Sequence, residues 1–155
     1  MPHIHEKIDF TATTYIVNDN AVLLRKHDKY NLWLAPGGHI ELDETPTAAA
    51  LREVKEEVGL DVVLFGSVAQ QSEGDGYEEL LPPAFMNIHP INDTHKHIDL
   101  IYIATCDSRE VTQGDTEVSD EIRWFTKEEL DDSGFDIRAT IVHYGKQAID
   151  AVSQA

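Results

Sequence analysis

Residues 38–60 read GHIELDETPTAAALREVKEEVGL, and this stretch contains the strongest helix signal in the 155-residue chain. Thr45 has the side chain of a helix N-cap, and Pro46 suits the first helical position because that position needs no N–H donor. No helix breaker follows until Gly59, which fits the left-handed position just beyond a last turn. The sequence therefore predicts a helix that begins at residue 46 and ends at residue 58.

The predicted helix carries three carboxylates on one face. Glu53, Glu56 and Glu57 stand at i, i+3 and i+4, a spacing that places their side chains next to one another. At a partly buried site they would repel one another unless a cation joined them, and such oxygen ligands favour Mg²⁺ or Mn²⁺. Taken alone, the three residues fit a solvated acidic face better than a metal site. The adjacent face is aliphatic and can anchor the helix on a sheet through Leu51, Val54 and Val58.

Two consecutive glycines, Gly37 and Gly38, lie just upstream of this helix. Without a Cβ, they allow the backbone to approach a ligand or a metal ion closely and to offer carbonyl oxygens to it. A tight turn without any ligand is the alternative explanation of the pair.

Outside the first helix, predicted strands alternate with turns, and a second long helix ends the chain. Turn residues at 18–20 join the first two strands into a hairpin. Segments rich in β-branched and aromatic residues predict strands over residues 10–17, 21–25, 61–68, 85–89, 97–105 and 121–125. Thr126 and Glu129 form a capping box for a short helix, and helical spacing of apolar residues predicts the terminal helix over residues 136–152. This order predicts one α/β domain, residues 1–155, with a sheet sandwiched between helices.

The chain is strongly acidic, with 29 Asp and Glu residues against 12 Lys and Arg residues and a formal charge of −17. Such a surface repels the phosphate backbone of DNA or RNA, so nucleic acid polymers are not expected partners. No apolar run is long enough to span a membrane, and the first residues lack the pattern of a signal peptide. The lone Cys106 has no internal disulfide partner, which agrees with the cytoplasmic location that we expect.

The stretch quoted above resembles the Nudix box, G-x5-E-x7-R-E-U-x-E-E-x-G-U with U an aliphatic residue. It matches at every specified position, which are Gly38, Glu44, Arg52, Glu53, Val54, Glu56, Glu57, Gly59 and Leu60. The preceding strands, the segment WLAPGGHIE and the later segment RWFTKEEL also resemble this family. We therefore identify the chain as resembling a Nudix hydrolase, although its subfamily is not evident from the sequence.

The resemblance implies an α/β/α sandwich around a mixed β-sheet and hydrolysis of a pyrophosphate bond in a nucleoside diphosphate derivative. It implies Mg²⁺, with Mn²⁺ as the other candidate, bound by Glu53, Glu56, Glu57 and the Gly37 carbonyl. Arg52 would hold a metal-binding glutamate in position.

The same resemblance suggests further roles around the box. Glu44 would brace the junction between the loop and the helix. The base that activates water would be Glu56 or Glu57, unless a carboxylate outside the box serves, for which Glu121 is the first candidate. Glu117 and Asp120 are the next candidates.

Substrate contacts are predicted in the glycine segment, in a long loop and in one strand. Gly38 and His39 would face the phosphates, and Tyr77 stands near the offset at which Nudix enzymes of dinucleoside polyphosphates have a tyrosine. His97 and Asp99 alternate onto one side of a strand, where they could contact a small nucleotide substrate. His95 shares that side, so a zinc site formed by these three residues is a second hypothesis.

The sequence is also compatible with two other functions. A nucleotide-binding sensor would keep the fold with little turnover, although such a module has no need of all the metal ligands. An isoprenoid diphosphate isomerase of related fold would use a cysteine and a glutamate, and the strand context of Cys106 gives this little support. Homodimers are common among relatives, so a homodimer is a candidate assembly, although the sequence does not indicate the oligomeric state.

Overall fold

The sheet is built around strand β1 (Ile8–Asn18), whose β-branched and aromatic residues favour extended backbone. The computed structural model describes residues 6–68, 74–115 and 118–155. β1 pairs in parallel with β7 (Lys96–Thr105) over ten residue pairs. Its other edge is shared by β2 (Ala21–His27) and β4 (Gly37–His39), both antiparallel to it. The sheet is therefore mixed, and β4 occupies the place where β2 diverges from β1.

The remaining strands extend the sheet on both sides. They are β3 (Leu32–Leu34), β5 (Val63–Leu64), β6 (Phe85–Pro90) and β8 (Glu121–Thr126). The main path runs β3-β2-β1-β7-β5, with β8 on β2 and β6 on β7. The strand predicted over residues 61–68 is shorter than expected, because Gly66 has φ +136° and leaves the extended conformation.

The turn between β1 and β2 is set by two residues. Asp19 and Asn20 both have positive φ, 48° and 58°, and they connect the strand pair Asn18 and Ala21 directly. Two central residues with positive φ form the turn whose twist matches that of a hairpin. The hairpin predicted from the turn residues is confirmed.

Helix α1 (Pro46–Val58) has the predicted bounds. The Thr45 Oγ1 atom accepts a hydrogen bond from the Ala48 N–H at 3.1 Å, and Gly59 ends the helix with φ +69°. The short helix α2 (Lys127–Leu130) has the predicted capping box. The terminal helix α3 (Ala139–Ser153) begins three residues later than predicted, because Asp136 has φ +52° after a 3-10 turn over Ser133–Phe135.

The two long helices cover opposite faces of the sheet. α1 packs Val54 and Val58 on Ile16 and Leu23, while Tyr15 and Ile101 point to the other face, where α3 contributes Ala148 and Ile149. This alternation along β1 follows from the period of two in a strand. The predicted α/β/α sandwich around a mixed sheet is confirmed. Among the described residues, no helix combines the length and the apolar character needed to cross a membrane.

Gly59 provides a test of the stop signal of α1. A Cβ at this position would lie 2.5 Å from the Thr112 carbonyl oxygen, and its φ is +69°. Gly76 also has positive φ, +82°, but no atom of the described residues lies within 4 Å of its Cβ position. We expect Gly76→Ala to lower the free energy of unfolding by about 1 kcal/mol, from backbone strain alone. Gly59→Ala should cost about 3 kcal/mol, because the steric clash adds to the strain. Urea denaturation of both variants measures the difference, and equal losses would contradict the assigned clash.

Candidate metal and catalytic site

The site begins with the close approach of α1 to strand β4. A Cβ at Gly38 would lie 2.3 Å from the Glu53 Oε1 atom, and one at Gly37 would lie 2.5 Å from the Ala12 carbonyl oxygen. Real side chains do not tolerate such distances, so only glycine allows the strand to pass between β1 and the helix. The glycine pair therefore has a packing reason at both positions, and it brings backbone groups to the glutamates of α1.

Arg52 organises the solvent side of this contact. Its guanidinium group donates to Glu44 at 2.6 and 3.1 Å, to the Glu53 Oε1 atom at 2.8 Å and to the His39 carbonyl oxygen at 3.0 Å. Charged hydrogen bonds of this kind are among the stronger ones in proteins. The hydrogen bonds from Arg52 lower the pKa of Glu44. The hydrogen bonds to Glu44 and Glu53 raise the pKa of Arg52. Arg52 thus joins the loop before α1 to the helix and fixes the Glu53 carboxylate.

Glu57 is held from the opposite side. Its side chain is 2% exposed, and its Oε1 atom accepts a hydrogen bond from the Gly37 N–H at 2.9 Å. Its Oε2 atom forms an ion pair with Arg25 of β2, whose Nε donates to the Ser119 Oγ atom at 2.6 Å. A buried carboxylate needs such partners, since an unpaired charge away from water costs several kcal/mol.

Glu56 completes the trio on the outer side of the helix. Its side chain is 58% exposed, and one carboxylate oxygen accepts from the Arg52 Nη1 atom at 3.2 Å. Glu53 and Glu57 are buried, so the three glutamates differ in environment although their sequence spacing is regular. Glu56 is the member of the trio that water reaches most easily.

The donor set fits a hard divalent cation. Within the described residues, the carboxylates of Glu44, Glu53, Glu56 and Glu57 pair with the guanidinium groups of two arginines, which leaves two formal negative charges among these six side chains. All available donors are oxygens, and the Gly37 backbone lies against Glu57. Mg²⁺ and Mn²⁺ prefer this chemistry, and a cation would offset the remaining repulsion.

The predicted residues His97 and Asp99 lie on β7, on the face of the sheet that α3 covers. The Asp99 Oδ1 atom accepts hydrogen bonds from the Thr11 and Thr13 hydroxyls at 2.9 and 2.8 Å. Burial raises the pKa of Asp99 despite these hydrogen bonds, which act in the opposite direction. Thr13 is the partner of Gly37 in the β1–β4 pairing. Asp99 therefore lies near Gly37, on the sheet face opposite to the one that α1 covers. The His97 ring contacts the His39 ring, with centroids 4.9 Å apart.

Two further residues that were predicted to act in the site, Tyr77 and Glu121, are exposed to solvent. Tyr77 is half exposed and donates its hydroxyl to Glu79 at 2.6 Å. Glu121 is exposed at the start of β8, where it pairs with Lys26 of β2. Asp120 is also exposed, and Glu117 lies outside the described residues. Their roles in catalysis and substrate binding therefore remain predictions.

Sequence reasoning missed Arg25, Ser119 and Asp9. Arg25 reads as an ordinary strand residue, and its partners Glu57 and Ser119 are 32 and 94 positions away in the sequence. Asp9 is fully buried next to His39 and His95. The signal in the sequence was a charged residue within a predicted strand or at its edge, and this signal does not identify the partner.

Comparison with known proteins places this geometry in context. Residues 8–144 match the model of the NUDIX domain. A solved hydrolase of the NUDIX family from Clostridium perfringens is 32% identical, with a TM-score of 0.80 over 93% of this chain and 97% of that one. A MutT NUDIX hydrolase from Burkholderia pseudomallei has the same fold, at 20% identity and a TM-score of 0.62 over 95% of this chain and 99% of that one.

A curated relative is a probable DHNTP pyrophosphohydrolase from Lactococcus lactis subsp. cremoris. It is 26% identical over 112 residues, which are 69% of this chain and 60% of that protein. The chain spans between 11% and 60% of the length of the curated relatives that it matches.

The buried pair of Arg25 and Glu57 predicts a non-additive pattern of stability. With EDTA present, Arg25→Met should lower the free energy of unfolding by about 3–5 kcal/mol, because it leaves a buried carboxylate without its counter-charge. Adding Glu57→Gln to this variant should recover part of the loss. Lys55 lies on the same helix as Glu57 and pairs with Asp61 beyond the helix end; Lys55→Met removes this exposed pair and should change stability by about 0.5 kcal/mol or less. An Arg25→Met variant as stable as the Lys55→Met control would contradict the assigned role.

Proposed function

The chain belongs to the Nudix hydrolase family, and on this premise we propose that it hydrolyses a pyrophosphate bond in a nucleoside diphosphate derivative with the help of a divalent metal ion. The observation that carries the proposal is the pair of buried carboxylates, Glu53 and Glu57, fixed against β4 by Arg52, Arg25 and the Gly37 amide. Buried acidic groups held so firmly are costly to a fold, and they are typical of a functional site.

Glu53, Glu56, Glu57 and the Gly37 carbonyl would hold Mg²⁺, or Mn²⁺ in its place. When bound, the ion supplies charge neutralisation at the phosphates and stabilises the charge that develops on the leaving group. This also explains how a chain with a formal charge of −17 accepts a polyanionic substrate.

The side chains of the site position and deprotonate the attacking water. Both carboxylate oxygens of Glu57 are engaged, by the Gly37 N–H and by Arg25, whereas Glu56 is exposed and has one oxygen near Arg52. Glu56 is therefore the better proton acceptor of the two candidates in the box. The water oxygen forms a bond to phosphorus, the bridging P–O bond breaks, and its electron pair leaves with the released phosphate. The proton passes through Glu56 to solvent.

The substrate is a small nucleotide, and its contacts outside the phosphates remain to be assigned, because Asp99 is buried and accepts the hydroxyls of Thr11 and Thr13. The candidate classes are nucleoside triphosphates, nucleotide sugars and dinucleoside polyphosphates. Nucleotides and magnesium are abundant in the cytoplasm, which is the location we propose. The raised pKa of the Cys106 thiol disfavours a thiolate, so isomerase chemistry based on this cysteine has little support.

A substrate panel tests the proposal. Product release is measured with DHNTP, nucleoside triphosphates, nucleotide sugars and dinucleoside polyphosphates, with Mg²⁺ and with EDTA. We expect cleavage of one class far above the rest, only with the metal. Binding of these compounds without turnover, by folded protein in Mg²⁺, would favour a nucleotide-sensing module instead.

Variants of the glutamates assign the roles within the site. Glu53→Gln should lower kcat at least about 100-fold, because loss of metal charge stabilisation removes several kcal/mol from the transition state. Because Glu56 is also a proposed metal ligand, Glu121→Gln decides the base: it should retain near wild-type kcat if Glu56 is the base, and a loss of about 100-fold or more would move this role to Glu121. Glu110→Gln, at an exposed position on another loop, is the matched control and should retain wild-type kcat.

A further inference from the structure

A second cluster of ligand-type side chains lies beside β4, on the face of the sheet that α3 covers. Asp9 of β1 pairs with His97 of β7, and His39 ends β4. His95, two residues before His97, points to the same side by strand alternation. The His39 backbone carbonyl oxygen contacts Arg52 of the glutamate site, but the His39 ring faces Asp9 on the other side of β4.

The distances within this cluster suit a metal ion. The Asp9 Oδ2 atom lies 3.1 Å from the His95 Nε2 atom and 3.2 Å from the His39 Nε2 atom. One carboxylate oxygen of Asp9, one ring nitrogen of His95 and one ring nitrogen of His97 all lie within 4.8 Å of one another. Zn²⁺ binds nitrogen and oxygen at about 2.0–2.2 Å, so two ligands of a tetrahedral site stand about 3.3 Å apart. The two contacts of Asp9 already have nearly this separation.

The hydrogen bonds of His95 point to a cation at its second nitrogen. The His95 Nδ1 atom lies 3.1 Å from the Glu6 carbonyl oxygen, which can only accept, so Nδ1 carries a proton. In a neutral ring, Nε2 then has a lone pair, and this lone pair faces the fully buried carboxylate of Asp9. Either a second proton or a metal ion has to separate them. A histidine that donates one N–H to a backbone carbonyl and points the other nitrogen into a polar cluster has the geometry of a metal ligand.

We propose that Asp9, His95 and His97 bind one Zn²⁺ ion, with His39, whose Nε2 atom lies 3.2 Å from the Asp9 Oδ2 atom, as a candidate fourth ligand. Imidazole and carboxylate ligands favour zinc, whereas the oxygen-only glutamate site favours Mg²⁺. The site replaces the zinc triad expected from the sequence, because Asp99 is directed to the hydroxyls of Thr11 and Thr13.

The bound ion would join β1, β4 and β7 at one end of the sheet. His39 directly follows the glycine pair, so the ion would hold the strand that carries the Gly37 carbonyl. The proposal concerns a structural ion and does not depend on the reaction proposed above, although a zinc-bound His97 would not contact the substrate as the sequence suggested. Its failure would leave that reaction unaffected.

Zinc content tests the proposal in the tag-free full chain. The protein is stripped with EDTA, incubated with Zn²⁺ in the absence of substrate and desalted, and its metal is measured by mass spectrometry. We expect about one zinc per chain in the wild type and in the Glu53→Gln/Glu56→Gln variant. Asp9→Asn and His95→Gln should each weaken zinc binding at least about tenfold, since even the loss of a supporting contact has effects of about 10–100-fold.

Three controls separate this site from other sources of zinc. His143→Gln removes an exposed histidine of α3, and His3→Gln/His5→Gln removes two histidines near the start of the chain; both should keep the zinc. Zinc retained by folded Asp9→Asn and His95→Gln, or lost with His3 and His5, would overturn the proposal. If Asp9→Asn unfolds, Co²⁺ bound to the wild type gives a second readout. Intense visible absorption indicates four-coordinate geometry, and the weak spectrum of a six-coordinate ion would exclude it.

Discussion

The fold of the candidate site depends on the buried carboxylate of Glu57. It accepts the Gly37 N–H at 2.9 Å and pairs with Arg25, so one side chain ties helix α1 to β4 and β2. Because the carboxylate is nearly inaccessible to water, these partners are obligatory rather than optional. The glycine pair allows β4 to lie close to α1, and Arg25 supplies the counter-charge from β2.

Local signals in the sequence were sufficient for α1, for the capping box of α2 and for the β1–β2 hairpin, but not for the pairing of the other strands. The bounds of α1 follow from Thr45, Pro46 and Gly59, whose effects act within one turn of the chain. The β1–β2 hairpin is equally local, since two turn residues define it. The ends of β5 and α3 were predicted less well, because single residues with positive φ, Gly66 and Asp136, interrupt otherwise favourable patterns.

The site was only partly predictable. The spacing of Glu53, Glu56 and Glu57 could be read from the helix period, but their different burial could not, because it depends on how α1 lies against β4. Arg25 and Asp9 were missed because their partners are brought to them by strand pairing, which one sequence does not encode in any local pattern. The result is two clusters of different donor chemistry on either side of one short strand, with oxygens around Gly37 and imidazoles around His39.

The glutamates of α1 are proposed to form a site for a divalent metal ion. Titration of the tag-free protein with Mn²⁺, followed by the electron paramagnetic resonance signal of the free ion, tests it most directly. The wild type and the Asp9→Asn variant should remove Mn²⁺ from solution equally, while Glu53→Gln/Glu56→Gln should leave nearly all of it free. Equal Mn²⁺ binding by the wild type and the folded Glu53→Gln/Glu56→Gln variant would contradict the assignment of this site.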